Sequence, residues 1–507
     1  MRRLTVILMV LLLSVSFVFA NGGGEAADKP VEYKDRVTIV NSQILAKLDP
    51  QNNNTGINGQ FYQMTHNTLI DCDYDTNTFL PELATKWDVS ADGLTYTFYL
   101  RDDVVFHDGT KFTAKDVKYT FDRAKTTSSQ LPKLMFMEEC SIIDDYIIQF
   151  KMSSTDAEFL DNLCAPNLSI ICEASGSGTD DWGFQNGTGA FKLTEWLPGN
   201  YALLQRNDSY WGELPKTKEI YYQNIGEASA RVIALETGDA DICIDVPPVE
   251  AANIGSYGCE LVQFPSNKIV YIALNNSGFV PAFEDLRVRQ AFNYATDQNT
   301  IITILREGYA STMNGVIPAS VKFSPEKIIT GYEYNPEKAK ALLAEAGYAD
   351  GLTVSLWYDD ALYPGMFECL QSMWAKSGIT LTLGTSDSSI LSTHVRKTLD
   401  YDITIAKWSF STISYGLSSL WKSGSGSNKT LTADPVIDEL LVSSQSELDE
   451  AKRAKLFEEL GTYLSEQNAA MIPMYTDEIL NGIRKGVEGA KFYSNERYDF
   501  TYVTASK

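Results

Sequence analysis

The chain has 507 residues, a net charge of −24 and 44% hydrophobic residues. A chain of this length is too large for one simple core, so two or three lobes are expected. The strong negative charge argues against a nucleic-acid partner and against adsorption to anionic lipid; it either attracts cationic solutes weakly or serves only solubility.

The N-terminus has the pattern of a secretory signal peptide. Two arginines precede an apolar run from Val6 to Val18, and small residues stand at the expected cleavage after Ala20. A membrane anchor is the alternative, but the run is short for a bilayer span and a Gly-rich stretch follows it. We therefore expect residues 1–20 to be removed and residues 21–30 to form a linker. No cysteine lies near the cleavage point, so we expect a protein that is free in the periplasm and not lipid-anchored.

After the linker, the pattern indicates a strand and then a helix. Arg36 to Val40 is the predicted opening strand, and Asp49-Pro50 follows it with a polar run over residues 51–56. A long helix is predicted from Phe61 to Leu69.

The segment from Asp92 to Arg123 contains three predicted elements in order. Leu94 to Leu100 is rich in β-branched and aromatic residues, which favours a strand packed on both faces. A turn follows, in which Gly109 is free to take positive φ. Thr113 can then cap a helix, with Asp116 in its first turn where the helix dipole favours a carboxylate.

Further elements follow in the same manner. The predictions are a strand at Tyr146–Phe150, a tight turn at Gly187-Thr188-Gly189 before a strand, a strand at Tyr201–Asn207, a helix at Ala228–Thr237, a strand at Tyr271–Asn275, a helix capped by Asp285, a helix that starts within Tyr334–Ala339 and ends at Gly347, an amphipathic helix at Leu456–Leu464 and a strand at Met471–Tyr475. Gly187 and Gly189 could also suggest a phosphate loop, but no Lys-Ser pair follows them and a strand does. We interpret them as turn glycines.

Several of these strings resemble one protein family. The stretch from Asp92 to Arg123 resembles the signature of extracytoplasmic solute-binding proteins of the oligopeptide, dipeptide and nickel type, which serve ABC importers. The Gly187 turn with Tyr210-Trp211, and the helix that begins at Ala228, are similar to further strings of that family. The resemblance covers essentially the whole chain after the signal peptide.

The resemblance implies an α/β, bilobal periplasmic-binding-protein fold in its three-domain form. Lobe I would be discontinuous, with residues 31–69, 188–276 and 476–507, and would carry an inserted subdomain at residues 70–187. Lobe II would comprise residues 277–475. Two crossing strands would form the hinge, and closure of the hinge around a ligand is the expected mechanism.

The same resemblance implies where a ligand is held. In peptide-binding relatives the ligand backbone lies as an added strand between the edges of the two lobes. The corresponding positions here are Asn54, Thr55, Gly56, Lys407, Trp408, Ser409, Phe410 and Ser411, and Tyr271 and Tyr475 are further aromatic candidates. Trp408, Phe410, Tyr271 and Tyr475 would stack on a ligand or, alternatively, pack as ordinary core aromatics.

The candidate site departs from the family pattern at two points. Lys407 replaces the usual glycine, and Ser411 stands where peptide binders place the aspartate that neutralises the amino terminus of a free peptide. Loss of that contact should weaken recognition of a buried ammonium. The expected ligand is a peptide, and a blocked or longer peptide or an oligosaccharide or other neutral solute is the alternative.

Other function classes have weaker support. Asp71, Asp73 and Asp75 alternate as in a polar turn and lack the glutamate of a Ca²⁺ loop, and no nucleophile or metal motif is present. We therefore predict no catalytic residue, no metal and no cofactor, and an enzyme is not expected. A chaperone-like binder is a further alternative. The expected partners are a small solute and a membrane-embedded ABC permease, with the protein itself a monomer.

The seven cysteines leave one unpaired in any monomer. Pairs Cys243–Cys259 and Cys140–Cys164 are candidate disulfides in an exported protein, and buried thiols are the equal alternative.

Overall fold

The computed structural model describes residues 31–43, 45, 47–52, 56–74, 76, 78–127, 130–176 and 181–507. The predicted signal peptide and linker, and Asn54 and Thr55 of the predicted site, lie outside the described residues. The strands of the described part are β1 (Arg36–Asn41), β2 (Ile70–Asp73), β3 (Thr78–Pro81), β4 (Ala84–Val89), β5 (Thr95–Leu100), β6 (Met137–Asp144), β7 (Ile147–Met152), β8 (Phe191–Leu197), β9 (Tyr201–Arg206), β10 (Glu219–Asn224), β11 (Ile242–Cys243), β12 (Cys259–Leu274), β13 (Ala310–Ser311), β14 (Leu352–Trp357), β15 (Ile379–Thr385), β16 (Ile403–Ser409), β17 (Met471–Arg484), β18 (Val487–Glu488), β19 (Lys491–Phe492), β20 (Tyr498–Asp499) and β21 (Thr504–Ala505).

The helices confirm the caps predicted at Thr113 and Asp285. The α-helices of the described part are α1 (Gly56–Thr65), α2 (Ala114–Thr126), α3 (Phe159–Leu163), α4 (Glu173–Gly176), α5 (Ala228–Thr237), α6 (Pro248–Ala251), α7 (Leu286–Tyr294), α8 (Gln298–Leu305), α9 (Pro336–Glu345), α10 (Met366–Ala375), α11 (Ser388–Thr393), α12 (Ile413–Trp421), α13 (Pro435–Ser446) and α14 (Glu450–Thr462). Thr113, Asp285 and Asn335 each accept a hydrogen bond from a backbone N–H in the first turn of α2, α7 and α9. These side chains satisfy donors that a helix leaves unpaired at its start.

One large sheet runs through the molecule. Its strand order is β15-β14-β16-β12-β17-β11-β1-β10-β9-β8, with β13 added beside β17. The two longest strands, β12 and β17, are antiparallel neighbours at its centre. Their pairing is interrupted between Pro265 and Ile269, and on either side of this interruption they have different outer neighbours. The two halves of the sheet are therefore joined by the same pair of strands.

The segment between β1 and β8 builds a second sheet. Its strands have the order β4-β5-β7-β6, and α2 contributes Val117 and Phe121 to the same core as Phe98 and Phe150. Gly109 has φ of +91° in the turn before α2. The strand, turn and capped helix predicted between Asp92 and Arg123 are confirmed, and so is the α/β class.

The helix predicted from Phe61 to Leu69 is wrong at both ends. Helix α1 begins at Gly56 and ends at Thr65, because the carbonyl of Thr65 accepts the N–H of Gly189 at 3.0 Å. A Cβ on Gly189 would lie 2.4 Å from the carbonyl carbon of Thr65. Gly189 is thus required by close packing against the end of α1.

All seven cysteines are thiols in the structure, and six of them are buried. The candidate pairs Cys243–Cys259 and Cys140–Cys164 are not bridged, so the buried-thiol alternative holds. The contact that does form joins Cys72 and Cys164, and a hydrogen bond between these two thiols lowers the pKa of Cys72.

Candidate ligand-binding cleft

Two adjoining cavities lie where the inserted sheet, β16 and the C-terminal loop meet. One has a volume of about 460 Å³ and the other about 530 Å³, and Ser411 and Asn495 line both. We call the first the cationic compartment, after its charged lining residues Lys133, Lys268, Lys407, Glu496 and Arg497. The second, which we call the latch compartment, includes Glu158, Asp161, Lys322 and Arg453 in its lining.

The predicted site residues divide into two groups. Those that line the cationic compartment are Gly56, Lys407, Trp408, Ser409 and Ser411. They come from the first turn of α1, from the end of β16 and from the turn that follows β16. The fold therefore brings together segments that lie far apart in the chain, as the resemblance implied. Their role in binding stays a prediction.

The other three predicted residues lie in hydrophobic cores. Tyr271 is 1% exposed, Phe410 is fully buried and Tyr475 is 4% exposed. Trp408 and Phe410 would share one face of a continuous strand. However, β16 ends at Ser409, and the backbone of Phe410 instead bonds to Asn267. Among the described residues, Tyr271, Phe410 and Tyr475 line neither compartment.

Trp408 and Ser411 each present an unsatisfied polar atom. The indole Nε1 of Trp408 and the Oγ of Ser411 are buried and have no hydrogen-bond partner among the described residues. The ring of Trp408 packs near Tyr415 with 6.3 Å between ring centroids. Buried polar atoms are normally hydrogen-bonded, so these two atoms are suited to accept a partner from a bound solute.

The charged side chains of the cationic compartment differ in their partners and in their burial. Lys268 pairs with Glu496 at 2.5 Å. Lys133 is buried, and its ammonium donates to Oε1 of Gln130 at 3.2 Å. Burial lowers the pKa of Lys133 to about 8, since removal from water disfavours the charged form.

Arg497 forms no ion pair among the described residues, although the charge of Asp71 attracts it. Its guanidinium donates to the hydroxyl of Tyr74 and to the carbonyl of Cys164. Burial lowers its pKa to about 10. Its side chain is half-buried, at a position where it lines the cationic compartment.

A buried ion pair lies in the wall of the latch compartment. Glu158 lies 2.6 Å from Arg453, and it also accepts hydrogen bonds from the hydroxyl of Thr412 and the N–H of Ser414. These contacts join the inserted sheet region to the segments after β16. The two walls of the cleft are therefore in direct contact here.

Sequence reasoning missed the C-terminal loop and Lys133. Residues 492–495 line the latch compartment, and Asn495, Glu496 and Arg497 line the cationic compartment. Glu496 has φ of +60°, which is uncommon for a residue other than glycine. Lys133 lies within the apolar run Leu131–Leu134. A lysine in such a run was the one feature of the sequence that could have indicated a buried charge.

The described ranges contain neither a cluster of metal-ligand side chains nor a membrane-spanning helix. No group of three His, Cys, Asp or Glu side chains is placed there to hold a metal ion. No helix of the described chain has the length and apolar character that a membrane span requires.

Comparison with known proteins gives concordant matches. Residues 78–430 match the family described as bacterial extracellular solute-binding proteins, family 5 middle. The chain is 26% identical over 444 residues to the glutathione-binding protein GsiB of Pectobacterium atrosepticum, covering 84% of this chain and 85% of that protein. It is 26% identical over 469 residues to the dipeptide-binding protein of Escherichia coli K12, covering 84% and 86%. The crystal structure of NikA from Brucella suis in complex with Fe(III)-EDTA has a TM-score of 0.83 and 23% identity, with 93% of this chain and 100% of that chain covered.

Proposed function

Because the chain belongs to family 5 of the bacterial extracellular solute-binding proteins, which are non-enzymatic binding components of ABC transporters, we propose that it captures a peptide in the cleft described above. The bound peptide is delivered to a membrane-embedded ABC permease. The protein acts as a monomer in the periplasm, after removal of residues 1–20 and without a lipid anchor.

The main support for a peptide ligand is the unpaired edge of β16. Residues 403–409 of β16 pair with β12 on one side, whereas β14 pairs only with Ile403 and Thr404 on the other. No strand of the described chain pairs with residues 405–409 on that second side, which leaves backbone donors and acceptors for an added strand. Peptides bind in this manner to exposed sheet edges. The curated relatives that bind a dipeptide and glutathione support the same class of ligand.

Closure is proposed to occur about the central strand pair. The interruption between Pro265 and Ile269 in the pairing of β12 with β17 is suited to a hinge. The proposed lobes are those that the resemblance implied: residues 31–69, 188–276 and 476–507 with the inserted subdomain 70–187, against residues 277–475. The interruption suggests that the first crossing lies nearer residue 267 than the predicted residue 276.

Solution scattering tests capture and closure together. The purified protein is stripped of bound solute by partial unfolding and dialysis, and an enzymatic casein digest reduced to di- and tripeptides is then added. We expect the radius of gyration to fall and the melting temperature to rise, since a ligand that binds only the folded, closed form stabilises it. A scattering profile and a melting temperature that are both unchanged would contradict peptide capture.

A further inference from the structure

We propose that the cationic compartment selects a small solute that carries two or more carboxylates, such as an acidic dipeptide. This rests on the proposed function, because it assigns the chemistry of the solute held in the same cleft. It runs against the weak attraction for cationic solutes that the overall charge of −24 would suggest.

The first observation is the charge of the lining. Four cationic side chains face this cavity, and the one carboxylate among its described lining residues, Glu496, already pairs with Lys268. Lys133 and Lys407 have no acidic partner among the described residues, and Arg497 forms no ion pair there but is attracted by the charge of Asp71. The latch compartment differs, since Glu158 pairs there with Arg453 and Lys322 pairs with Glu450. The excess of positive charge is thus confined to one part of the cleft.

The second observation is that Lys133 is removed from water and that Arg497 is half-buried. Lys133 is 6% exposed, and one amide oxygen of Gln130 is its hydrogen-bond acceptor. Arg497 has only a phenol and a backbone carbonyl as acceptors. A buried cation without an opposite charge destabilises the protein that contains it. A bound carboxylate would supply the missing charge, so the cost is recovered when the solute binds.

The third observation is that both unpartnered buried polar atoms of this lining can donate a hydrogen bond. Trp408 Nε1 is a donor without an acceptor, and the hydroxyl of Ser411 is also unpartnered. Gly56 places the first turn of α1 at the same cavity, where the positive end of the helix dipole favours an anion. At the position where a carboxylate would hold an ammonium, the chain has Ser411. The lining is therefore complementary to acceptor groups with negative charge.

Calorimetric titration with two matched blocked dipeptides tests the proposal. N-acetyl-Glu-Glu and N-acetyl-Gln-Gln have nearly the same size and both lack an ammonium, so they differ in side-chain charge. We expect N-acetyl-Glu-Glu to bind at least about tenfold more tightly, and this preference to decrease as salt is added. Equal or tighter binding of N-acetyl-Gln-Gln would overturn the proposal while peptide capture would stand.

Variants assign the preference to named residues. Lys133→Met should lower the affinity for N-acetyl-Glu-Glu at least about tenfold, and Lys407→Met should lower it less because Lys407 is exposed. Lys151→Met is the control, since Lys151 pairs with Glu138 on the surface and lines neither compartment; the affinity of this variant should be unchanged. Lys133→Met should also raise the melting temperature of the solute-free protein, whereas a purely structural lysine would lower it on removal.

The outcomes separate the two proposals. If neither blocked dipeptide binds but the casein digest still closes the protein, the charge proposal is overturned and the proposed function stands. If the digest also has no effect, both are overturned. An unchanged affinity of Lys133→Met for N-acetyl-Glu-Glu would remove Lys133 from the site and overturn the assignment of the cationic compartment.

Discussion

The carboxylate of Glu158 lies 2.6 Å from Nη2 of Arg453, and both side chains are buried although the residues are 295 positions apart. Hydrogen bonds from Thr155 and Ala157 to the carbonyls of Ser446 and Gln445, at 2.7 and 2.9 Å, lie beside this pair. Glu158 belongs to the predicted inserted subdomain and Arg453 to the predicted lobe II. This ion pair therefore joins the two walls of the cleft, and we predict that it acts as a latch that forms on closure.

Glu158→Gln should weaken solute binding. Arg453 would be left buried without its counter-charge, which costs about 3–5 kcal/mol when a buried pair is broken. If the pair forms only on closure, this cost applies to the closed form, because both groups are hydrated when the cleft is open. Titration with N-acetyl-Glu-Glu should show at least about a tenfold loss of affinity, with little change in the melting temperature of the solute-free protein.

Glu450→Gln is the control for this prediction. Glu450 pairs with Lys322 on the surface, and exposed pairs contribute about 0–1 kcal/mol. Its affinity should stay within about twofold of the original protein. Should Glu158→Gln instead lower the solute-free melting temperature and leave the affinity intact, the pair would belong to one rigid body and would not be a latch.

Trp408→Ala should remove most of the binding while the fold stays cooperative. A stacking aromatic side chain in a closed site contributes about 1–3 kcal/mol, so the affinity should fall roughly tenfold to a hundredfold. Trp211→Ala provides the comparison, since Trp211 bonds to Asn67 and lies under Arg101, away from either compartment. That variant should lower the melting temperature without changing the affinity per folded molecule. An unchanged affinity in Trp408→Ala would place the site elsewhere.

Ser411→Asp should change which peptides bind. An aspartate at this position, which lines both compartments, would supply the carboxylate that holds the ammonium of a free peptide. Titration should show tighter binding of free Ala-Ala and weaker binding of N-acetyl-Glu-Glu, since the new charge repels the second solute. No gain for Ala-Ala would contradict the alignment of Ser411 with the family's aspartate.

Asp156→Asn should remove part of the pH dependence of stability. Burial, together with the charges of Glu158 and Asp161, raises the pKa of Asp156 to about 7, although the N–H of Glu158 and the charge of Arg453 oppose this shift. Because this pKa lies above its unfolded value, the folded state binds the extra proton between about pH 4 and pH 7, and stability falls as pH rises through that window. Chemical unfolding at several pH values should show a decline that is smaller in the variant by roughly 2–4 kcal/mol. Parallel curves for the two proteins would contradict the raised pKa.

The sequence predicted most elements, because their signals are local. Thr113, Asp285 and Asn335 cap helices through contacts within one turn, and such contacts can be inferred from neighbouring residues. The end of α1 could not be inferred in this way, since it depends on the approach of Gly189 from a distant segment. Local propensity was overridden there by packing.

Residues of the candidate cleft could be predicted only where they belong to a segment that resembles the family's sequences. Trp408 and Ser411 were predicted from such a segment, and both line the cationic compartment. Phe410 was predicted with them but is buried in a core, because β16 ends at Ser409 and the sequence has no clear signal for that end. Lys133 and Arg497 lie far apart in the chain and meet only through the fold. Their meeting in one lining, on which the proposed selectivity for carboxylates depends, is a property of the three-dimensional arrangement.

Native mass spectrometry of freshly purified protein tests the central claim of solute capture at the cleft most directly. The original protein, Trp408→Ala and Trp211→Ala are prepared from the same culture conditions and compared without added solute. The account predicts a non-covalent adduct of peptide mass on the original protein and on Trp211→Ala, and its loss or marked reduction on Trp408→Ala. An adduct retained equally by Trp408→Ala, or one whose mass and fragmentation identify a neutral sugar, would contradict it.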